Sequence, residues 1–161
     1  MPTIDSTMSG PDANCYCTLE EADEFLDEIY GAEEWLSATE EDRQRLLISA
    51  TKVIESLPVM YDSYDEDQAL WFPIVNTDDP EYDGFAEAAE AVIWQALYML
   101  KTHDEVEDGR VNSIQGVKSD SSGGVSTNYT GFNFMKKWSP KVLELLGDYI
   151  DFSITFQRYE V

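Results

Sequence analysis

Apolar residues recur at the spacing of amphipathic helices in four segments of the chain. The first helix is predicted to follow Thr18, where Glu21 completes a capping box, and to end at Gly31. Trp35 and Leu36, which lie between this helix and the next, are expected to form a short apolar turn. An acidic outer face and an apolar inner stripe in this region indicate packing against other helices.

Three further helices are predicted from the same signals. One follows Thr39 and closes at Pro58, and the last begins at Ser139-Pro140. Between them, the strongest helix is expected to start at Asp79-Pro80 and to end across the stretch from His103 to Gly109. Its apolar stripe is rich in alanine, which allows neighbouring helices to approach closely, so we expect it to be the central helix.

Two segments have a different pattern. From Arg110 to Gly131 the residues are β-prone around a polar, glycine-ending connector, which predicts a β-hairpin. From Phe152 to Gln157 apolar and polar residues alternate, as in a strand. The predicted fold is mainly α, a small bundle of about four helices with a hairpin insertion at about 110–131 before the last helix. One domain is expected over residues 1–151, followed by an extended tail at 152–161.

An irregular stretch from Val59 to Asp79 lies between the second and third predicted helices. It is both acidic and aromatic. Its residues Tyr61, Tyr64, Trp71, Phe72 and Pro73 predict a loop that packs an aromatic anchor against the helices.

Charge restricts the functions open to this chain. Its 161 residues include 33 acidic and 10 basic side chains, for a net charge of -23, and 43% hydrophobic residues supply a packed core. The excess of acidic residues is unevenly distributed. Residues 1–108 hold 28 acidic and 4 basic residues, whereas residues 109–161 hold 5 acidic and 6 basic residues. Nucleic-acid affinity depends largely on Lys and Arg, so the acidic part disfavours ordinary DNA or RNA binding.

Several features bear on location and chemistry. Cys15 and Cys17 are too close for an unstrained bridge and too few for a zinc site, which indicates free thiols in a reducing compartment. No segment has the roughly 20 apolar residues of a membrane helix, and the amino terminus does not resemble a signal peptide. We therefore expect a soluble protein that is not secreted by a signal peptide.

Candidate catalytic and metal-binding groups are few. The single histidine, His103, lies near the predicted carboxyl end of a helix. A favourable interaction with the helix dipole explains it better than a role as a general base. The carboxylates Asp62, Asp65, Glu66 and Asp67 lack EF-hand spacing, so a solvated acidic loop is favoured, and cation binding stays open. We expect a protein that is not an enzyme, with no cofactor and no metal.

Aromatic residues offer a second kind of site. Six of them could stack on bases in a single-stranded site, but core packing or a subunit contact is favoured: Trp71, Phe72, Tyr129, Phe132, Phe134 and Trp138. The stacking hypothesis is stronger near Trp138, where Lys136, Lys137 and Lys141 are close in sequence.

Short motifs in a shared order resemble a known family over roughly Cys15 to Ile150. The chain is similar to the tailed-bacteriophage head-tail connector (adaptor, head-completion) family, often labelled DnaT-like single-stranded DNA-binding proteins. The residues that carry the resemblance are Tyr16 with Glu21-Ala22-Asp23, Trp35, Leu47-Ile48-Ser49-Ala50-Thr51, Gln68-Ala69-Leu70-Trp71-Phe72-Pro73, Ile114-Gln115-Gly116-Val117-Lys118-Ser119 and Val125-Ser126-Thr127-Asn128-Tyr129. One departure is Ile74, where the family usually has a basic residue.

The resemblance implies a dodecameric ring in the virion at the head-tail junction, made in the host cytoplasm. The ring would bind the portal protein, extend the DNA channel and receive the next tail or stopper ring protein, while DNA passes through without specific binding. For the tail we expect portal docking through Phe152, Ile154, Phe156 and Tyr159. For the hairpin we expect contacts with a neighbouring subunit or the tail through Ile114, Val117, Val125 and Tyr129.

Two alternatives remain from the sequence. The first is an acidic DNA mimic that inhibits a DNA-binding host protein, since such a protein would share the charge and the lack of catalytic residues. The second is single-stranded DNA binding, as the family label suggests, which the scarcity of lysine and arginine disfavours.

Overall fold

The computed structural model describes residues 2–75, 83–114, 119–122, 125–128 and 137–151, and within 103–136 it describes the backbone alone. The helices are α1 (Leu19–Asp27), α2 (Glu33–Ser37), α3 (Glu40–Ile54), α4 (Phe85–Ile114) and α5 (Pro140–Leu146). Two strands, β1 (Ser119–Ser122) and β2 (Val125–Asn128), lie between α4 and α5. A 3₁₀ turn, Gly147–Tyr149, follows α5. The predicted mainly helical bundle is confirmed.

The helix starts follow the capping residues. Thr18 accepts a hydrogen bond from the Glu21 amide, and the Glu21 carboxylate accepts one from the Thr18 amide, which completes the predicted capping box. Thr39 caps α3 by accepting from the Asp42 amide at 3.2 Å. Ser139 caps α5, whose first residue is Pro140. These side chains satisfy amide groups that the helices leave without partners.

The hydrophobic core lies where α3 and α5 pack against α4. On α4, the alanines Ala88, Ala91 and Ala96 are fully buried, so the helix backbones come close together, as the alanine pattern predicted. On the other side, α1 and α2 close the core, with Leu26 and Trp35 fully buried. Each predicted apolar stripe therefore faces the same core.

Three predicted boundaries are wrong. Trp35 and Leu36 lie in a short helix, α2, and not in a turn. The central helix begins at Phe85 and not at Asp79-Pro80, because Gly84 takes a φ of +73°, outside the helical range. It also continues to Ile114, past the expected stop at residues 103–109, since a single glycine such as Gly109 costs a helix only about 1 kcal/mol.

The extension of α4 also changes the hairpin. Residues 110–114, expected at its start, are helical. The paired strands are antiparallel and short, with Ser119 opposite Asn128 and Ser122 opposite Val125. The predicted span of 110–131 is therefore wrong at its start.

Candidate functional site

The segment 59–75, here called the aromatic loop, carries the candidate carboxylate cluster and two of the candidate aromatic rings, Trp71 and Phe72. It begins beside the end of the described chain: Val59 forms an antiparallel bridge with Ile150, and the Met60 amide donates to the Tyr149 carbonyl at 2.9 Å. A second bridge, between Ser63 and Ile74, joins the two ends of the loop. The loop is thus a folded part of the bundle with its own backbone pairing.

A buried polar latch holds the loop to the helices. The hydroxyl of Tyr16 donates to one carboxylate oxygen of Glu55 and accepts from the Phe72 amide at 3.1 Å. The other oxygen of Glu55 accepts from the Trp71 amide, also at 3.1 Å. We call Tyr16, Glu55 and these two amides the latch. It connects the residues before α1, the end of α3 and the middle of the loop.

The latch has unusual proton affinities because it is buried. Burial, followed by the negative charge of Glu55, raises the pKa of Tyr16 well above its ordinary value, so the hydroxyl remains a donor. Burial also raises the pKa of Glu55, although the hydrogen bonds from Tyr16 and the Trp71 amide oppose this change. These hydrogen bonds therefore stabilise the fold by joining the loop to the helices. The Tyr16 hydroxyl, the group at its centre, is inside the core, and its residue is 2% exposed.

Aromatic rings pack around the latch in edge-to-face pairs. The Tyr16 ring lies 5.9 Å from that of Phe72 and 5.8 Å from that of Phe85, and Phe72 lies 5.4 Å from Tyr149. Gly84 leaves room for Phe72, because a Cβ at Gly84 would come within 2.7 Å of that ring. The loop therefore has an aromatic anchor, as predicted, and that anchor is the buried Phe72, whereas Trp71 is 39% exposed and Tyr64 is 69% exposed.

The acidic tip of the loop is organised by Gln68. Its side-chain amide donates to the carbonyls of Leu70, Trp71 and Pro73, and its oxygen accepts from the Asp65 amide at 2.9 Å. In the described part of the chain, no group of three or more carboxylate, cysteine or histidine side chains is arranged to hold a metal ion. The carboxylates Asp62, Asp65, Glu66 and Asp67 are all exposed to solvent.

The two cysteines are free and buried, as predicted. Their sulfur atoms lie 4.0 Å apart. The contact between the two thiols lowers the pKa of Cys15 and, together with burial, raises that of Cys17. Because both residues are at most 2% exposed, the thiols are placed for packing more than for reaction.

The remaining stacking candidates divide into two groups. Trp138 is 3% exposed and its indole donates to the Val53 carbonyl, so neither it nor Phe72 presents a free ring face to a base. Trp71 is the candidate that is both described and exposed, at 39%. The other candidates, Tyr129, Phe132 and Phe134, lie outside the described residues. The stacking hypothesis is thus wrong for the two buried rings, and the core alternative is confirmed for them.

Four of the described cations already have partners. Arg43 pairs with Asp23 at 2.7 Å, Arg45 pairs with two carboxylates of its own helix, and Lys141 pairs with Glu144 at 2.8 Å. Lys137 lies 5.1 Å from the centre of the Trp138 ring and bonds to Ser56, and partial burial lowers its pKa. Arg43 and Arg45, the arginines whose side chains are described, therefore neutralise the protein's own carboxylates.

The segment before α5 depends on a polar residue that the sequence pattern did not reveal. Gln95 is fully buried in α4; its amide donates to the Lys137 carbonyl and its oxygen accepts from the Ser139 amide. This side chain ties the start of α5 to the central helix. The only sequence signal was a polar residue inside the apolar stretch of α4.

The residues predicted to make contacts are only partly described. Ile114 is the last residue of α4, and Val125 is the first of β2. The others lie outside the described residues: Val117, Tyr129, Phe152, Ile154, Phe156 and Tyr159. Among the helices of the described ranges, none combines the length and apolar character needed to cross a bilayer.

Comparison with known proteins places the chain in a family. Residues 3–159 match the model of a family described as "Putative DnaT-like ssDNA binding protein". No curated protein and no solved structure matches the chain. Since the family match extends over nearly all of the sequence, the chain belongs to this DnaT-like family.

Proposed function

We propose that this protein is a structural component of a phage virion, a head-tail connector that forms a ring on the portal. The ring extends the DNA channel and accepts the next tail or stopper protein. Its partners are further copies of the chain, the portal and the tail component, and DNA passes through the lumen without specific binding. The proposal rests on the sequence resemblance and on one physical observation, the distribution of charge over the folded body.

That observation concerns the outer surface of α1, α2 and α3. Each of these helices has acidic residues in its first turn: Glu20 and Glu21, then Glu33 and Glu34, then Glu40, Glu41 and Asp42. A ring of such subunits presents a negative wall to the DNA phosphates, and like charges keep the duplex away from the wall. A channel lining benefits from this repulsion, whereas a DNA-gripping protein would be weakened by it.

Single-stranded DNA binding is the second candidate, and the family description favours it. Such sites combine exposed aromatic rings with a positive groove. Among the described side chains, Phe72 and Trp138 are buried, Trp71 is 39% exposed, and Arg43 and Arg45 are each paired with carboxylates. We therefore rank this function below the connector.

A binding assay separates the two candidates. A fluorescent thymidine oligonucleotide is titrated with the purified protein at low salt and at about 0.15 M salt, and its anisotropy is measured. The connector predicts no saturable binding at either salt concentration. Binding in the micromolar range that weakens as salt rises would instead support the single-stranded DNA function.

A second assay addresses the portal. The protein is mixed with the portal protein of the same virus, and the complex is examined by electron microscopy for an added ring. The tail offers a matched pair of variants: Phe152→Ser, Ile154→Ser and Phe156→Ser together, against Ser153→Ala, Thr155→Ala and Gln157→Ala. Only the first set should abolish the ring, because it removes the apolar positions of the alternating pattern. Equal loss or equal retention would refute docking through that apolar face.

A further inference from the structure

The first half of the aromatic loop has a backbone edge without a partner. Ser63 forms an antiparallel bridge with Ile74 whose hydrogen bonds are made by the neighbouring residues, so the amide and carbonyl of Ser63 point away from Ile74. Among the described residues, these two groups have no backbone partner, and the same is true of Tyr61. On the other segment the Ile74 amide donates to the Asp83 carbonyl. The edge at Tyr61 and Ser63, here called the open edge, is therefore a template for an added strand.

Exposed side chains, most of them apolar, accompany the open edge. Met60, Asp62 and Tyr64 are exposed and alternate with more covered residues, and the exposed fractions of Met60 and Tyr64 are 52% and 69%. The Val75 amide donates to the Asp62 carbonyl at 2.9 Å, and Val75 is 44% exposed. We call Met60, Tyr64 and Val75 the outer face. Asp62 lies between them and forms no ion pair with another described residue.

The open edge is held in place by the rest of the loop. On the inner side of the pairing, Ile74 is buried and Phe72 packs among aromatic rings. The latch and the Gln68 side chain fix the backbone of the loop. Binding to a preorganised edge loses little conformational entropy, so a strand can pair with it without first folding the loop.

Charge indicates the kind of strand that the open edge accepts. The carboxylates Asp62, Asp65, Glu66 and Asp67 are exposed, and the sequence from 53 to 100 contains no lysine, arginine or histidine. A second copy of the loop would bring like charges together, and a nucleic acid would bring phosphates, so both are repelled. A cationic protein segment is therefore the occupant that this charge favours.

We propose that the open edge binds an extended segment of another protein with the pattern apolar-x-cation-x-apolar. In paired strands, side chains directly opposite each other lie on the same face and interact. The cation of the segment lies opposite Asp62, and its two apolar residues lie opposite Met60 and Tyr64. Backbone pairing supplies affinity, and these side chains supply specificity. The inference does not depend on the proposed ring.

The tail of this chain has the wrong pattern for the open edge. Its cation, Arg158, has Phe156 two positions before it but Glu160 two positions after it. With Arg158 opposite Asp62, Glu160 would take the place of an apolar residue and add a negative charge beside the acidic loop. The pattern therefore assigns the open edge to a different protein and not to the tail of a second copy.

The first test titrates a synthetic peptide with the full-length protein. The probe is a fluorescent peptide in which threonine alternates with isoleucine, lysine and isoleucine, and binding is measured by anisotropy. We expect saturable binding at protein concentrations below about 1 mM. Two N-methylated versions are the controls, one methylated at the threonine amides and the other at the isoleucine and lysine amides. Because alternate amides of a strand point to opposite edges, only one version should lose affinity, by about 10-fold or more.

Matched variants of the full-length protein locate the binding site. Asp62→Asn and Glu66→Gln each remove one exposed carboxylate of the loop, but only Asp62 lies between the outer-face residues. We expect Asp62→Asn to weaken peptide binding by about 10-fold and Glu66→Gln to change it by less than about 2-fold. Tyr64→Ser should also weaken binding, whereas Tyr30→Ser, which removes an exposed tyrosine outside the loop, should not. Thermal unfolding within a few degrees of wild type establishes that each variant is folded.

Amide hydrogen exchange reports the added strand directly. Bound peptide should slow exchange at the Tyr61 and Ser63 amides, because backbone pairing protects the amides of the open edge. Exchange in α4, which lies outside the loop, should stay the same and is the internal control.

Each measurement has an outcome that overturns the proposal. Strand pairing is wrong if the wild type does not bind the probe below about 1 mM, or if both N-methylated peptides bind equally well. The assigned register is wrong if Asp62→Asn and Glu66→Gln have equal effects. A peptide of residues 151–161 is titrated in parallel, and tighter binding of this peptide than of the probe would assign the open edge to the tail of a second copy.

Discussion

The helical body and the aromatic loop are stabilised in different ways. In the body, α3, α4 and α5 bury continuous apolar stripes, and many residues share the stabilisation. In the loop, a few directional hydrogen bonds from Tyr16, Glu55 and Gln68 fix the backbone, and Phe72 is the main buried ring. A single substitution removes only part of the apolar packing in the body. In the latch, removing one partner leaves another buried polar group without its hydrogen bond, which costs additional free energy.

The largest expected effect is in the body. Trp35 is fully buried, and its indole donates to Asp23 at 2.8 Å. Trp35→Ala should lower the free energy of unfolding by about 4 kcal/mol, because it leaves a large cavity between α2 and the core. Denaturant unfolding measures this loss, and Trp35→Phe, which keeps most of the volume, should cost much less. Equal losses for the two variants would attribute the effect to the Asp23 bond.

A smaller and more local effect is expected at the latch. Tyr16→Phe leaves the Phe72 amide without its acceptor and removes one of the two donors to Glu55, so it should cost about 2 kcal/mol. Amide hydrogen exchange should accelerate at Trp71 and Phe72 more than in α4. The control is Tyr61→Phe, which removes a hydroxyl from the same loop outside the latch. A uniform acceleration over the whole protein would show that loop and body unfold as one unit.

The smallest expected effect is a pH dependence. The pKa of Glu55 is raised in the folded protein, so the folded state binds a proton more tightly than the unfolded state. The Glu55 contribution to stability is full below the ordinary glutamate pKa of 4.5 and is lost as the pH rises through the folded pKa. Unfolding free energies measured across this range should fall less with rising pH for Glu55→Gln than for the wild type. Identical slopes would contradict the assignment to Glu55.

Local signals predicted much of the body. The capping residues Thr18, Thr39 and Ser139 start the helices where they were expected, because a cap acts within three residues. The predicted ends of α4, which have no such cap, were wrong. The long α4 continues beyond its acidic stretch and Gly109, since helix propagation depends on the sum over many residues and not on one weak residue.

The candidate surfaces were harder to predict. The sequence indicated an aromatic anchor somewhere in the loop, but it could not show that Phe72 is the buried ring and that Tyr64 and Trp71 are exposed. It gave no sign that Tyr16 would meet Glu55, 39 residues away, or that Gln95 would hold the Ser139 amide. Such pairs form only when segments that are distant in sequence pack against each other, and a short sequence pattern does not encode that packing.

The sequence by itself determined the helical bundle, the helix starts, the buried apolar stripes and the strong separation of charge between residues 1–108 and 109–161. These properties follow from composition and from contacts within a few residues. Only the tertiary structure decided which aromatic rings are in the core and which polar groups form the latch. It also decided that Met60, Tyr64 and Val75 share one exposed face, because exposure results from the packing of distant segments against each other.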